Sequence, residues 1–331
     1  MDPVAALVLA RRAEHSKPGR RRDGFRLALA IEGGGMRGVV AGGMVSALEQ
    51  LGLADVFDAV YGTSAGACAG AYLLAGQARE GTRIFYRDIN NPRFIRIGRA
   101  LIRRPVMNVD LLIDHVMTRV RPLDTARVIG HPVPLVMMAT DVATGGAVML
   151  RDFADHGQVM RGLRATTRLP LVAGRPVDWT DGRRLVDGAL SAPLPVEQAA
   201  VDGATHVLAL ATRHDVSTID GGRTNALFSR LLARHVSPAV AEAYLGRAAL
   251  FTGLAGALSG PRLPYGGAPH VALVRPIGRW RRVSKVERRG LKLIRGADAG
   301  WQAVWRWLGD DDPPPFPDML RTGRRLRRRE T

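Results

Sequence analysis

The chain has 331 residues with a single cysteine, and 48 basic side chains against 30 acidic ones give a net charge of +18. This length suits one large domain or two small ones. The lone Cys68 excludes an intrachain disulfide framework and a cysteine-based zinc cluster. No apolar run reaches the roughly 18–20 residues of a membrane-spanning helix. The apolar run at residues 4–10 is short and follows an aspartate, unlike a secretory signal. We therefore expect a soluble, cytoplasmic protein.

The positive charge is concentrated in three segments. Residues 1–26 carry net +4, residues 79–127 carry +6 and residues 275–331 carry +9. No nucleic-acid-binding module accompanies them, so nucleic acid is not an expected partner. An anionic lipid surface is the expected partner, through peripheral contact of the arginine-rich segments. Because only three of the basic residues are lysine, a composition bias toward arginine is the alternative explanation.

The first half of the chain alternates strand and helix signals. Residues 1–24 are polar and basic and predict a flexible extension. Residues 26–32 predict a buried strand, followed by a glycine-rich turn and a helix over 39–51. Residues 56–61 predict a second strand, again with a glycine turn and a helix that ends near Gly76. This order predicts a parallel α/β sheet.

The second half adds strands, two helical segments and a tail. Residues 79–127 and 225–265 are predicted to form helical cap or insertion segments on a main domain of residues 25–308. A terminal helix is expected over 297–308, and residues 309–331 predict a Pro/Arg-rich tail. Further strands are predicted at residues 133–140, 147–150, 207–211 and 271–275, with a hairpin over 177–186.

Two glycine motifs lie on consecutive strand-to-helix turns. Gly33, Gly35 and Gly38 form a G-x-G-x-x-G pattern, and Ser64 lies between glycines in a G-x-S-x-G pattern. Either could arise by chance, but their positions bring both turns to one edge of the sheet, where such folds build their sites. A dinucleotide-binding loop is the alternative for the first motif, yet the second strand does not end in the acid that such a site requires.

The second motif predicts a nucleophilic serine. Ser64 would lie on a tight elbow, where Gly62 and Gly66 relieve crowding and the following helix favours negative charge. The glycine loop would supply backbone N–H donors for the oxyanion formed during ester attack. Arg37 adds a cation beside that loop.

An aspartate is the expected base. Asp-Gly followed by a small residue occurs at Asp187, Asp202 and Asp220, and Asp187 is favoured because it ends an apolar segment before a proline-punctuated loop. Asp141 is a further candidate, although it also suits a turn cap.

These residues resemble the patatin-like phospholipase family, in its bacterial branch. The similar stretches are EGGGMRG at 32–38, GTSAGA at 62–67 and LVDGALSAPLPV at 185–196, within a similarity over about residues 25–275. The resemblance implies a three-layer α/β/α sandwich with a mostly parallel sheet. It also implies a metal-free, cofactor-free lipid acyl hydrolase that forms an acyl-enzyme on phospholipid or another acyl lipid. By this resemblance Ser64 is the nucleophile and Asp187 the base. The implied oxyanion hole comprises Gly33, Gly34, Gly35, Met36, Arg37 and Gly38.

Two alternatives remain open. One is an α/β-hydrolase esterase with a Ser-Asp-His triad, for which four histidines follow Asp187 in the chain: His206, His214, His235 and His270. The other is a catalytically silent, basic, membrane-associated protein.

Overall fold

A computed structural model describes residues 2–102, 104–214, 223–259, 269–276 and 282–319. One sheet in this part of the chain has the strand order β5-β6-β3-β2-β1-β7-β8, with β4 also paired to β3. Its strands are β1 (Leu27–Ile31), β2 (Ala59–Thr63), β3 (Leu135–Asp141), β4 (Ala147–Leu150), β5 (Val177–Asp178), β6 (Arg184–Asp187), β7 (His206–Leu210) and β8 (His270–Val274).

The centre of the sheet is parallel. The pairings of β3 with β2, β2 with β1, β1 with β7 and β7 with β8 are all parallel, whereas β4, β5 and β6 join in antiparallel pairings. The chain proceeds outward from β1 to β2 and β3 on one side, and later returns to its other side as β7 and β8. This change of direction opens a crevice at the carboxyl ends of the strands, the usual place for a site in such a sheet.

Ten α-helices are described: α1 (Pro3–Ala13), α2 (Val39–Gln50), α3 (Ala65–Leu74), α4 (Ala78–Arg83), α5 (Thr125–Gly130), α6 (His156–Thr167), α7 (Val196–Val201), α8 (Arg223–His235), α9 (Pro238–Ser259) and α10 (Gly290–Trp307). Two π-helical segments, 84–88 and 111–120, lie between α4 and α5. The predicted cap segments 79–127 and 225–265 therefore contain mainly helical turns, and residues 260–265 lie outside the described residues. No helix in the described part of the chain is long and apolar enough to cross a bilayer.

Helices cover both faces of the sheet. Along β1, Leu29 and Ile31 pack into a core shared with α2, α3 and α10, whereas Ala28 and Ala30 pack into a second core shared with α7. The strand is buried throughout because its side chains alternate between these two cores. This arrangement confirms the predicted three-layer α/β/α sandwich with a mostly parallel sheet.

The N-terminal segment differs from the predicted flexible extension. Asp2 caps α1 by accepting hydrogen bonds from the amides of Val4 and Ala5, and Val4 and Val8 are fully buried. Arg11, on the same helix face, is 1% exposed and forms salt bridges to Asp23 and Asp58. A short apolar stripe and a buried ion-pair network therefore hold this basic segment against the domain.

The beginning of the predicted C-terminal tail is also packed. Phe316 is fully buried and contacts the ring of Trp301, whose indole N–H donates to the carbonyl of Pro314. Trp301 is 3% exposed and therefore belongs to the core against which α10 packs. The arginine run at 324–329 lies outside the described residues.

Candidate active site

Ser64 lies on a sharp elbow between β2 and α3. Its backbone has φ 54° and ψ −125°, a left-handed conformation that is strained for a residue with a side chain. The flanking glycines are required by close packing. A Cβ on Gly62 would lie 2.5 Å from Cα of Ala67, and one on Gly66 would lie 2.4 Å from the carbonyl oxygen of Ile31. The elbow thus holds the hydroxyl at the N-terminus of α3, where the helix dipole favours negative charge.

Strand β3 brings Asp187 to this elbow. Thr63, at the end of β2, is in register with Met138 of β3, and Asp187, at the end of β6, is in register with the next residue, Ala139. The Ser64 hydroxyl donates to Oδ2 of Asp187 at 3.0 Å. The two predicted residues, 123 positions apart in the chain, therefore form a hydrogen-bonded pair.

Burial tunes the Asp187 carboxylate. The residue is 5% exposed, and this desolvation raises its pKa to about 6, against the opposing effects of hydrogen bonds from the Ala189 amide and Ser64 and of the charge on Lys285. A carboxylate with a pKa near 6 is a stronger base than one in water and is still ionised at pH 7. These properties suit a group that accepts a proton from serine.

The glycine loop presents two backbone N–H groups. The amides of Gly33, Met36 and Arg37 already donate to the carbonyls of Pro193, Lys285 and Gly34, respectively. Among the described residues, the amides of Gly34 and Gly35 have no acceptor. Gly35 also has φ 56°, and a Cβ there would lie 2.8 Å from the Lys285 carbonyl. The amides of Gly34 and Gly35 are therefore available to a bound group, and the predicted oxyanion hole over residues 33–38 stays a prediction.

The guanidinium of Arg37 lines the cavity and is held by side chains from other segments. Its Nε donates to the Thr212 hydroxyl at 2.9 Å, and its Nη2 lies 3.4 Å from Glu32. Glu32 is 1% exposed and also binds Arg213. A carboxylate this buried requires such partners. Arg37 therefore braces the glycine loop against the end of β7.

The other aspartates have structural roles. Asp141 accepts hydrogen bonds from the amides of Ala143 and Thr144, as a turn cap does. Asp202 accepts from the Tyr61 hydroxyl and pairs with Arg151. Asp220 lies outside the described residues.

The histidines of the alternative triad lie elsewhere. His206 and His270 begin β7 and β8, at the amino-terminal edge of the parallel sheet, and their rings are 5.0 Å apart. His235 ends α8, and the His214 carbonyl accepts from Arg275. Within the described ranges, no histidine lines the cavity that contains Ser64 and Asp187.

That cavity has a volume of about 570 Å³, within the range of small-molecule sites. Its wall is largely apolar along the segment between α4 and α5 and around the end of α6. Representative lining residues are Phe85, Ile89, Phe94, Leu112, Met117 and Leu169. The cavity thus joins the serine–aspartate pair to a space that suits an acyl chain.

Positive charge gathers at the polar part of the cavity. Arg37, Arg213, Arg247 and Lys285 all line it. Part of Lys285 is exposed to solvent. Desolvation inside the cavity and the neighbouring charges of Arg37, Arg247 and Arg213 lower its pKa to about 8, although Asp187 opposes this effect. Sequence patterns could not identify Lys285 or Arg247, because neither belongs to a motif.

Thr166 is a further residue that sequence analysis assigned no role. It accepts a hydrogen bond from the Ser64 amide at 2.8 Å, which holds the elbow against α6. It lies in the RATTRLP stretch at residues 164–170, outside the three motifs that carry the family resemblance. Cys68, one helical turn after Ser64, is half-buried and lines the cavity. Burial raises the pKa of its thiol to about 12, with a further contribution from the charge of Asp187. The described residues contain no cluster of His, Cys, Asp or Glu that could hold a metal ion.

Residues 29–200, more than half of the chain, match the family model of patatin-like phospholipases, and the chain belongs to this family. It is similar to uncharacterized NTE family proteins of Mycobacterium bovis and Mycobacterium tuberculosis, with 28% identity over 177 residues. The match covers 53% of this chain and 46% of those proteins, so the chain spans about half the length of the curated relatives it matches.

Two solved structures are also similar. VipD from Legionella pneumophila has a TM-score of 0.42 and 12% identity, over 86% of this chain and 67% of VipD. Human GIVD cytosolic phospholipase A2, in complex with methyl gamma-linolenyl fluorophosphonate, has a TM-score of 0.32 and 13% identity, over 93% of this chain and 63% of that one.

Proposed function

We propose that this protein is a serine hydrolase that cleaves acyl esters of lipids through an acyl-enzyme on Ser64. The observation that carries the proposal is the 3.0 Å hydrogen bond from the Ser64 hydroxyl to Asp187, at the polar end of a largely apolar cavity. Membership of the patatin-like phospholipase family supports the same reaction class.

In the acylation step, Asp187 accepts the hydroxyl proton as Ser64 Oγ attacks the ester carbonyl. The carbonyl π electrons move to oxygen, and the amides of Gly34 and Gly35 donate to that oxyanion. Collapse of the tetrahedral intermediate breaks the bond to the alcohol, which leaves with the proton from Asp187. Water then attacks the acyl-enzyme and gives a proton to Asp187. Collapse of the second tetrahedral intermediate releases the fatty acid, and Asp187 returns the proton to Ser64 Oγ.

Labelling with a fluorophosphonate probe tests the nucleophile. We expect the wild type to react and Ser64→Ala to remain unlabelled while it keeps its circular dichroism spectrum. Ser46→Ala is the matched control, because Ser46 is also buried but lies on α2, where it hydrogen-bonds Thr82 and the Gly42 carbonyl. Equal labelling of wild type and Ser64→Ala would place the nucleophile elsewhere.

The cations at the cavity favour a phospholipid over a neutral lipid. Lys285 has no hydrogen-bond or ion-pair partner for its ammonium among the described residues, and it shares the cavity with three arginines. A phosphate there would relieve the repulsion among these charges. The acyl chain would then lie along the apolar wall and the phosphate near Lys285.

Substitution of Lys285 tests this substrate class. We compare lysophosphatidic acid with a monoacylglycerol of the same acyl chain. Because a hydrogen bond to a charged group contributes about 1.5–3 kcal/mol, Lys285→Met should lower kcat/KM for the phosphorylated lipid by about tenfold or more. The neutral lipid should change by less than about twofold. Lys292→Met is the control, because Lys292 pairs with Glu287 and does not line the cavity. An equal loss on both lipids would assign Lys285 a structural role.

A further inference from the structure

The described residues 96–102 and 104–106, here called the rim loop, lie beside the wall of the cavity. Its base is an antiparallel bridge between Ile95 and Met107, reinforced by a hydrogen bond from the Arg96 amide to the Val106 carbonyl at 2.9 Å. Phe94 and Met107, at this base, line the cavity. Whatever the rim loop contacts is therefore close to the binding site.

The tip of the rim loop exposes large apolar side chains. Leu101 is 90% exposed, Ile97 is 67% exposed and Ile102 is 64% exposed. Leu101 is the most exposed large hydrophobic residue in the described part of the chain. Isolated apolar residues on a surface are ordinary, but three within six positions form a patch that marks a contact surface.

The surroundings of this patch are basic. Residues 93–107 contain five arginines and no acidic residue. Two copies of such a loop repel each other, which disfavours a self-interface. An anionic lipid surface complements both features, because apolar side chains enter the boundary between headgroups and acyl chains while arginines bind lipid phosphates.

We propose that the rim loop docks the protein on anionic membranes, with Ile97, Leu101 and Ile102 inserted and the arginines in the headgroup layer. The base of the loop then holds the cavity against the lipid that the proposed function consumes. The docking itself does not depend on catalysis, and it is measured with the Ser64→Ala protein so that vesicles stay intact.

Sedimentation with vesicles tests the docking. We compare phosphatidylcholine vesicles with and without about 30 mol% phosphatidylserine, at low and high salt. We expect binding that requires the anionic lipid and weakens with salt. The triple variant Ile97→Ser, Leu101→Ser, Ile102→Ser should bind at least tenfold more weakly. The control variant is Val201→Ser, which changes a residue that is 75% exposed on α7. It should bind vesicles as strongly as the Ser64→Ala parent does.

The arginines have their own matched comparison. One triple variant carries Arg96→Gln, Arg99→Gln and Arg104→Gln. It should bind anionic vesicles up to about a hundredfold more weakly, since each basic residue near an anionic surface contributes about 1 kcal/mol. Removal of three arginines elsewhere, by Arg12→Gln, Arg22→Gln, Arg26→Gln, should have a smaller effect. Equal losses from both sets would show a general charge effect and overturn the assignment to the rim loop.

Two further measurements distinguish membrane docking from a self-interface of the rim loop. In the active protein, the apolar triple variant should hydrolyse a soluble short-chain ester at the parental rate but hydrolyse vesicle lipid more slowly. Parental vesicle binding by that variant would overturn the proposal, whether or not its oligomeric state differs from that of the parent. If the protein proves to have no esterase activity, the binding experiment still decides the docking.

Discussion

The two central residues of the site are both held in unfavourable states. Ser64 has a positive φ, and Asp187 is a buried carboxylate whose desolvation raises its pKa to about 6. Such costs are typical of functional sites, where the surrounding fold maintains a geometry that the residues would not adopt alone. The free-energy cost of burying the Asp187 carboxylate changes with pH, because only the ionised form is penalised by desolvation.

The first residue-scale prediction is that Asp187→Asn stabilises the folded protein at neutral pH. Because the folded-state pKa lies above the unfolded value near 3.8, the folded state favours the protonated form. The stability contribution of Asp187 is therefore complete below about pH 4 and is lost as the pH rises through about 6. A shift of about two pH units corresponds to about 3 kcal/mol.

Urea unfolding at pH 4 and pH 8 measures this effect. The gain of Asp187→Asn should reach up to about 3 kcal/mol at pH 8 and largely disappear at pH 4. Asp202→Asn is a control of opposite sign at pH 8. Burial would raise the pKa of Asp202, but hydrogen bonds from Tyr61 and Arg151 lower it, so this substitution should destabilise the protein. A destabilised Asp187→Asn protein at pH 8 would contradict the account of a strained carboxylate.

At the scale of elements, the segment around Asp318 packs next to the cavity wall. Asp318 is 1% exposed and accepts hydrogen bonds from Arg79, Arg83 and Tyr86. Burial alone would raise its pKa, but these three donors hold the pKa well below its usual range. Tyr86 neighbours Phe85, which lines the cavity and packs against Gly38 of the glycine turn. The C-terminal segment therefore fixes α4 and the first π-helical segment in place.

We predict that Asp318→Asn lowers the free energy of unfolding by about 3 kcal/mol at neutral pH, because it removes the charged partner of Arg79 and one of the two acidic partners of Arg83. The loss should shrink in acid, where the wild-type carboxylate also becomes protonated. Thermal unfolding of Asp318→Asn is compared with that of the control Asp311→Asn, which changes an exposed aspartate in the same segment. The difference between their melting temperatures measures the contribution of the buried contact. An unchanged melting temperature for Asp318→Asn would show that this contact does not hold the segment.

At the scale of the whole molecule, local signals predicted the centre of the fold. The strand–glycine–helix order around β1 and β2 is contained in short stretches, so it predicted the sheet edge and the elbow at Ser64. Asp187 required a comparison of several aspartates, because its partner is distant in the chain. The resemblance of three motifs to one family selected among them.

The remaining features depend on contacts between distant segments. Arg37 neighbours the glycines in the sequence, but the Thr212 hydroxyl that its guanidinium binds is 175 residues away. The packing of α1 depends on the pairing of Arg11 with Asp58, which no local pattern contains. Lys285 reaches the cavity from a segment without a motif. Such contacts become visible only in three dimensions.

The central claim is that Asp187 activates Ser64 without a histidine, and ester hydrolysis by single variants tests it most directly. Turnover of one ester substrate is compared for the wild type, Ser64→Ala, Asp187→Asn and alanine variants of His206, His214, His235 and His270. We predict that Asp187→Asn is as inactive as Ser64→Ala while folded. Each histidine variant should stay within about tenfold of the wild type, since loss of a general base typically costs 10²–10⁴-fold. A folded histidine variant as inactive as Ser64→Ala would contradict the account and support the Ser-Asp-His triad.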